Sequence, residues 1–263
     1  MKHTELFRSQ YGPWALIAGA SEGLGAAYAQ AIAARGLNLV LIARRQNLLK
    51  SLSEDLKKKY GIQVIIQAQD LSDLTLLKDF INSLQVEIGL LVYNAAFAPI
   101  SLFQDLEEEQ LLKITHVNVR APLVLVKTLS DQMRARRRGG IILMSSLSGF
   151  QGSPKIAVYG ASKAFNTILA EALWSEMKES GIDVLACCAG AVRTPGYSSA
   201  RSTKEAPGTL DAEAVLIEAL KSLGKRPMVI PGLANQFFHL ILSRFLPVKT
   251  AINIMKSNTE ELT

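Results

Sequence analysis

The segment that limits the fold most tightly runs from Trp14 to Ala34: a short apolar stretch, Trp14-Ala-Leu-Ile-Ala18, then Gly19-Ala-Ser-Glu-Gly23-Leu24-Gly25, then alanine-rich sequence. Apolar residues met at once by glycines and followed by helix formers read as a buried strand, a tight turn and a helix. Side chains at such a turn would hold a phosphate away from the amides that open the helix. Glycine there serves a ligand as well as the turn.

The rest of the chain repeats that alternation. Strands are expected over residues 37–43, 62–67, 88–93, 141–146, 182–188 and 227–230, and helices over 46–59, 73–84, 106–127, 157–179 and 211–223. Pro122 marks a kink or boundary in the helix over 106–127, and a kink would free carbonyls to receive the amide of the buried Asn118. His116, two residues earlier on another face, is structural or solvent-exposed. Residues 195–209, rich in Ser, Gly, Pro and charge, form a loop or lid, and 255–263 a frayed end. With neither linker nor repeat, one α/β domain is expected over 1–263, a doubly wound parallel sheet of seven strands flanked by helices.

Polar residues gather where these strands end. Ala43 is followed by Arg44-Arg45, where a dinucleotide site usually carries an acidic side chain for the ribose hydroxyls. Arg44 would instead pair with a 2′-phosphate, which favours NADP(H) over NAD(H), while Arg45 is left as solvated surface. Asp70-Leu71 falls at the edge where an adenine ring would lie, and Asn94-Ala95-Ala96 lets the backbone approach a ligand.

Tyr159-Gly-Ala-Ser-Lys163 carries the chemistry. Residues four apart share a helix face, so the Lys163 ammonium stands beside the Tyr159 phenol. A free tyrosine titrates near ~10, and a fixed cation favours the phenolate. Ser146, ending the strand over 141–146, can hold a substrate oxygen. The set would protonate a carbonyl oxygen or deprotonate an alcohol beside a hydride source.

Composition excludes several other classes. A chain of 263 residues with 49% hydrophobic and 20% charged content builds one packed core, not a disordered tail. Part of the net charge of +6 comes from Arg134, Arg136, Arg137 and Arg138, read as a solvated turn; no nucleic-acid signature accompanies it. Cys187 and Cys188, adjacent in an apolar run, build neither a disulfide framework nor a metal site, and fit reducing surroundings. Without a signal-like start or an apolar run of ~20 residues, the expectation is a cytoplasmic protein.

In order and spacing, the glycine turn, Asn94-Ala95-Ala96, Asn118, Ser146, Tyr159, Lys163 and residues 189–194 resemble the short-chain dehydrogenase/reductase family over roughly Trp14 to Pro195. The resemblance implies a Rossmann sheet and hydride transfer between a nicotinamide cofactor and a carbonyl or alcohol. It makes Tyr159 the general acid in reduction, with Lys163 lowering its pKa and holding the nicotinamide ribose. Ser146 would bond the substrate oxygen, and Asn118 would anchor a water linking Lys163 to solvent. Gly19, Gly23, Leu24 and Gly25 would form the cofactor turn, Ser21 and Arg44 would meet the 2′-phosphate, and Asp70 and Leu71 the adenine. Asn94 would line the ribose, and Val192 and Thr194 would face the nicotinamide amide. Ala18, Ala96 and Ala189 depart from the usual threonine, glycine and proline, and Tyr93 from a common asparagine, changes that bear on cofactor packing.

Substrate walls would come from a loop about 190–210, with Tyr197, and from the tail about 233–255, with Phe237, Phe238, Leu240, Ile241, Leu242, Phe245 and Leu246. They suggest a bulky lipophilic carbonyl, and the branch of 3-oxoacyl-CoA reductases and 17β-hydroxysteroid dehydrogenases is the most similar, so a 3-oxoacyl thioester, steroid-like or alicyclic ketone is expected. The same residues allow alcohol oxidation, and a cofactor sensor without catalysis is the rival of another class. For the tail, burial in its own fold or in a dimer ranks before membrane contact. The resemblance also implies a homodimer or homotetramer.

Overall fold

The computed structural model describes residues 2–199 and 205–260. In chain order, α1 (Lys2–Tyr11), β1 (Trp14–Ala18), α2 (Gly23–Ala33), β2 (Asn38–Ala43), α3 (Gln46–Tyr60), β3 (Val64–Ala68), α4 (Leu74–Ser83) and β4 (Ile88–Tyr93) form the first half. The second half runs α5 (Glu108–Thr115), a π turn (His116–Arg120), α6 (Ala121–Ala135), β5 (Gly139–Ser146), α7 (Ala157–Glu176) and β6 (Ile182–Ala189). It closes with β7 (Val192–Arg193), α8 (Pro195–Ser199), β8 (Leu210–Asp211), α9 (Ala212–Ser222), β9 (Met228–Val229), α10 (Leu233–Leu240), a second π turn (Ile241–Phe245) and α11 (Val248–Glu260).

Seven of the strands pair in parallel in the order β3-β2-β1-β4-β5-β6-β9, as the alternation predicts. Successive residues of a strand face opposite ways, and both faces here are apolar. Ile17, Leu41 and Val92 pack under Tyr28, Ile32, Leu49 and Val215. Leu16, Val40 and Leu91 pack against Leu77, Leu125 and Met133 on the other side. Each such side chain contributes about 1.5–3 kcal/mol by leaving water. The order reverses between β1 and β4, so their carboxyl ends diverge and open a crevice, the place where doubly wound sheets take ligands.

Four expectations need correction. Helix α1 was not anticipated; Tyr11 fixes it to the sheet by donating from its hydroxyl to Asp183 at 2.7 Å. Pro122 marks the boundary and not a kink: it sits in the first turn of α6, and the helix expected over 106–127 is divided into α5 and α6 by the π turn just before it. The arginine turn is more than solvated surface, since Arg136 donates to the Gly12 and Ile88 carbonyls and pairs with Glu87. The end over 255–263 is helical through Glu260, with Met255 buried and the Thr259 hydroxyl donating to its carbonyl at 3.1 Å; residues 261–263 lie outside the described residues. Of the loop over 195–209, residues 195–199 form α8 and 200–204 are not described. Among the described residues no helix is long and apolar enough to cross a membrane.

Candidate active site

The crevice is a cleft of about 550 Å³ running from Arg44 and Asp70 at one end to Tyr159 and Tyr197 at the other. Gly19 and Gly23 take φ of +82° and +54°, a left-handed backbone that makes the turn. Gly25 stays off the wall and packs: a Cβ there would lie 2.0 Å from the Gly19 carbonyl oxygen. Helix α2 opens with no side-chain cap from Glu22, so its first amides face the cleft as an anion seat. Glu22 would repel an anion there, but Arg45 neutralises it at 2.6 Å and also donates to Ser21 Oγ at 3.0 Å. Arg45 is therefore a structural partner of the turn. The exposed Arg44 guanidinium has no partner among the described residues and remains available to a phosphate.

At the same end, Asp70 accepts from the Ser72 backbone and hydroxyl at 2.9 Å each and from Lys113 at 2.9 Å. Burial works against its charge, yet these donors hold the carboxyl below its ordinary value. Lys113 also lies 5.5 Å from the Phe97 ring centroid, so α5 is latched across the cleft by two residues that the sequence did not mark. Leu71 and Leu24 are buried on the wall. Gln69 was also missed: its buried carboxamide leaves both polar atoms without a partner among the described residues, a donor and acceptor that a nucleobase edge could use. Turn amides, an open arginine and an unspent carboxamide fit a phosphorylated dinucleotide.

The departure at Ala18 is absorbed by backbone. The Ala18 carbonyl takes the amides of Asn94 at 3.0 Å and Ala95 at 2.9 Å, and Asn94 Nδ2 donates to the Gly19 carbonyl at 3.0 Å, so the turn and the asparagine segment stay tied without a threonine. Ala96 lines the cleft, and Ala189 lies beside Ser146 in the β5–β6 ladder. The Tyr93 hydroxyl donates to the Val117 carbonyl that the π turn exposes.

Tyr159 reaches the wall from the first turn of α7. Behind it, Lys163 is 3% exposed, donates to the Met144 carbonyl at 2.8 Å and lies 5.5 Å from the Tyr159 ring centroid. The Ser146 hydroxyl shares a 2.7 Å bond with Ser148. Asn118 stands on the π turn: its side chain accepts from the Phe97 amide at 2.8 Å and donates to the Phe97 carbonyl and Ser162 Oγ at 3.0 Å each. Those partners are not carbonyls freed within its own helix. Its carbonyl takes Asn166 Nδ2 at 3.0 Å. Thr194 lines the cleft with its methyl near Gly23, whereas Val192 is half-buried against the first core. His116 is half-buried with Arg120 Nη1 at 3.0 Å and lies off the cleft wall.

Proton affinities differ from the sequence expectation. Burial holds the Tyr159 phenol above its ordinary value, the Ser146 hydrogen bond draws it down, and the neighbouring lysine is not what sets the direction. Burial lowers Lys163 to about 8. A base with a depressed folded pKa has shed, between about 8 and the ordinary ~10.4, a proton that the unfolded chain keeps, so stability rises with pH across that window. The unfolding midpoint of the wild type should therefore gain on that of Lys163→Met from pH 8 to 10.5, with Cys187 and Cys188 common to both; parallel curves would contradict the burial of a charged amine.

The family model of short chain dehydrogenases matches residues 13–205. A 7β-hydroxysteroid dehydrogenase of Collinsella aerofaciens is 32% identical over 243 residues, 87% of this chain and 89% of its own. A very-long-chain 3-oxoacyl-CoA reductase of Pyrenophora tritici-repentis is 32% identical over 250 residues, 89% of this chain and 72% of its own. A solved structure concerned with 7β-hydroxysteroid dehydrogenase stereoselectivity is 29% identical, with a TM-score of 0.88 over 95% of this chain and 98% of that one.

Proposed function

The chain belongs to the short-chain dehydrogenase family and is a dehydrogenase/reductase, and from that premise we propose an NADP(H)-dependent reductase of a bulky, lipophilic ketone. What carries the reading is one cleft with, at one end, an arginine that has no partner among the described residues and, at the other, a half-buried phenol backed by Ser146 and Lys163. NADPH, when bound, supplies the hydride. Ser21 and Arg44 would hold its 2′-phosphate, the turn of Gly19, Gly23, Leu24 and Gly25 its pyrophosphate, Asp70 and Leu71 its adenine, and Asn94, Lys163, Val192 and Thr194 its nicotinamide side.

The protein manages one proton. A phenol that holds its proton at neutral pH can give it to a carbonyl oxygen, the part of the general acid in reduction. Ser146 would donate to the same oxygen as negative charge grows on it. Lys163 would recharge the phenol from solvent by way of a water at Asn118. Ile100, Ile156 and Tyr197 give the cleft an apolar wall, consistent with a steroid-like, alicyclic or 3-oxoacyl ketone. Leu123 on α6 and Ile168 on α7, 39% and 66% exposed, would be covered in a homodimer. The reduced pair Cys187 and Cys188 suits the cytoplasm.

A cofactor-consumption screen over steroid ketones, alicyclic ketones and 3-oxoacyl-CoA tests this reading. NADPH should be oxidised with a lower KM than NADH, and Arg44→Asp should raise the NADPH KM about 10- to 100-fold, the size of one charged hydrogen bond, while sparing NADH. Equal use of both cofactors by the wild type would remove the NADP assignment, and no turnover across the panel would remove the substrate class.

A further inference from the structure

Leu233, Phe237 and Leu240 recur at spacings of four and three along α10, which stacks them on one face. All three are exposed, Leu233 at 82% and Phe237 at 65%. The π turn follows without a break, and because its hydrogen bonds span five residues, Phe245 continues the ridge above Leu240 and is 72% exposed. Val248 extends it to the head of α11. This ridge is not misplaced core, because the hairpin has its own: Leu242, Ala251 and Met255, with Phe238, Leu246 and Ile254 around them.

Charge selects the partner. From residue 219 to 259 the sequence has no Asp or Glu, yet it carries Lys221, Lys225, Arg226, Arg244, Lys249 and Lys256. Arg244, within the span of the ridge, and Lys249, next to its end at Val248, are exposed. A second copy of the chain, docked about a two-fold axis, would set these cations against their own images. An anionic bilayer meets both features at once, since rings enter the acyl boundary while cations meet headgroups.

We infer that the ridge Leu233–Phe237–Leu240–Phe245–Val248 docks the protein on the surface of an anionic lipid bilayer. The hairpin lies against the loop leading from Ser146 to Tyr159: the His239 and Phe150 rings are 4.1 Å apart, and Ile252 is in van der Waals reach of Gly152. Docking therefore sets the lipid beside the substrate end of the cleft. The surface stands whether or not the cofactor and substrate assigned above are right.

Co-sedimentation of the full chain with vesicles of phosphatidylcholine alone, and with about one third phosphatidylserine, tests it. Binding should appear on the anionic vesicles and weaken with added salt. Arg244→Gln with Lys249→Gln should weaken it about 25-fold, roughly fivefold per charge, and Phe237→Ser with Phe245→Ser about 100-fold. These side chains are exposed, so both variants should keep the thermal unfolding midpoint of the wild type. No binding by the wild type, equal binding to both vesicle types, or unaltered binding by the folded variants would overturn the inference. So would a phenylalanine pair variant that loses self-association while keeping its lipid affinity, because the ridge would then cover a second copy.

Discussion

Tyr159→Phe should lower turnover of a true ketone substrate by about a hundred- to ten-thousandfold, the range of a lost general acid, and leave NADPH affinity within about twofold of the wild type. The separation follows from what the substitution keeps. The ring still fills its place on the wall and still faces the Lys163 ammonium 5.5 Å from its centroid, and Ser146 keeps its 2.7 Å bond to Ser148. What is gone is the proton that the carbonyl oxygen must receive, and with it the hydrogen bond between the phenol and Ser146. Single-turnover kinetics with NADPH, beside a fluorescence titration of the cofactor, separate the two quantities. Near-normal turnover would mean that another group delivers the proton, and a parallel loss of cofactor affinity would mean that the hydroxyl is structural.

Gly25→Ala is expected to be the most damaging change of a single methyl in the glycine turn behind the cleft wall. The new carbon would sit 2.0 Å from the Gly19 carbonyl oxygen and 2.9 Å from Asn94 Nδ2, and the nearer contact is backbone, which cannot rotate away. Relief requires α2 to lift from β1, which breaks the Asn94 to Gly19 bond and displaces the amides meant for the cofactor. Overpacking usually costs about 1–3 kcal/mol; an immovable partner puts this case at about 3 kcal/mol or above, with cofactor affinity lost as well. Gly36→Ala is the comparison. There φ is +78° but a Cβ meets nothing within 4 Å, so only the strain of about 1–2 kcal/mol remains. Equal urea midpoints for the two variants would show that the α2–β1 contact is softer than its geometry implies.

The sheet was legible because strands buried on both faces must be continuous apolar runs, and Leu39 to Ile42 or Leu90 to Val92 admit no other environment. Helix α1 was not, since what fixes it lies far along the chain: Asp183 for Tyr11, and Arg138 for the Ser9 carbonyl. The π turn was hidden for a similar reason. Pro122 signals a kink or a boundary, and the structure makes it the start of α6, but nothing local signals the wider winding of the five residues before it. At the site, spacing showed that Lys163 and Tyr159 share a helix face but could not show how dry that face is, so burial was underrated against charge. Lys113 and Gln69 carried no local mark, and Arg45 reads locally as solvated surface. The importance of Arg45 comes from Glu22, that of Lys113 from Asp70 with Phe97, and that of Gln69 from a carboxamide with no partner among the described residues.

The π turn at His116–Arg120 also sets the phase between two helices. An α-helix advances about 100° per residue, so the loss of any one residue there would restore regular winding while spinning α5 by that angle about its axis. Lys113 would swing off Asp70 and Phe97, and the latch over the nucleotide end would open although every latch residue was intact. Length in this segment is thus under a stricter constraint than the identity of its side chains, and insertions or deletions between 116 and 120 are the changes that the cleft tolerates least.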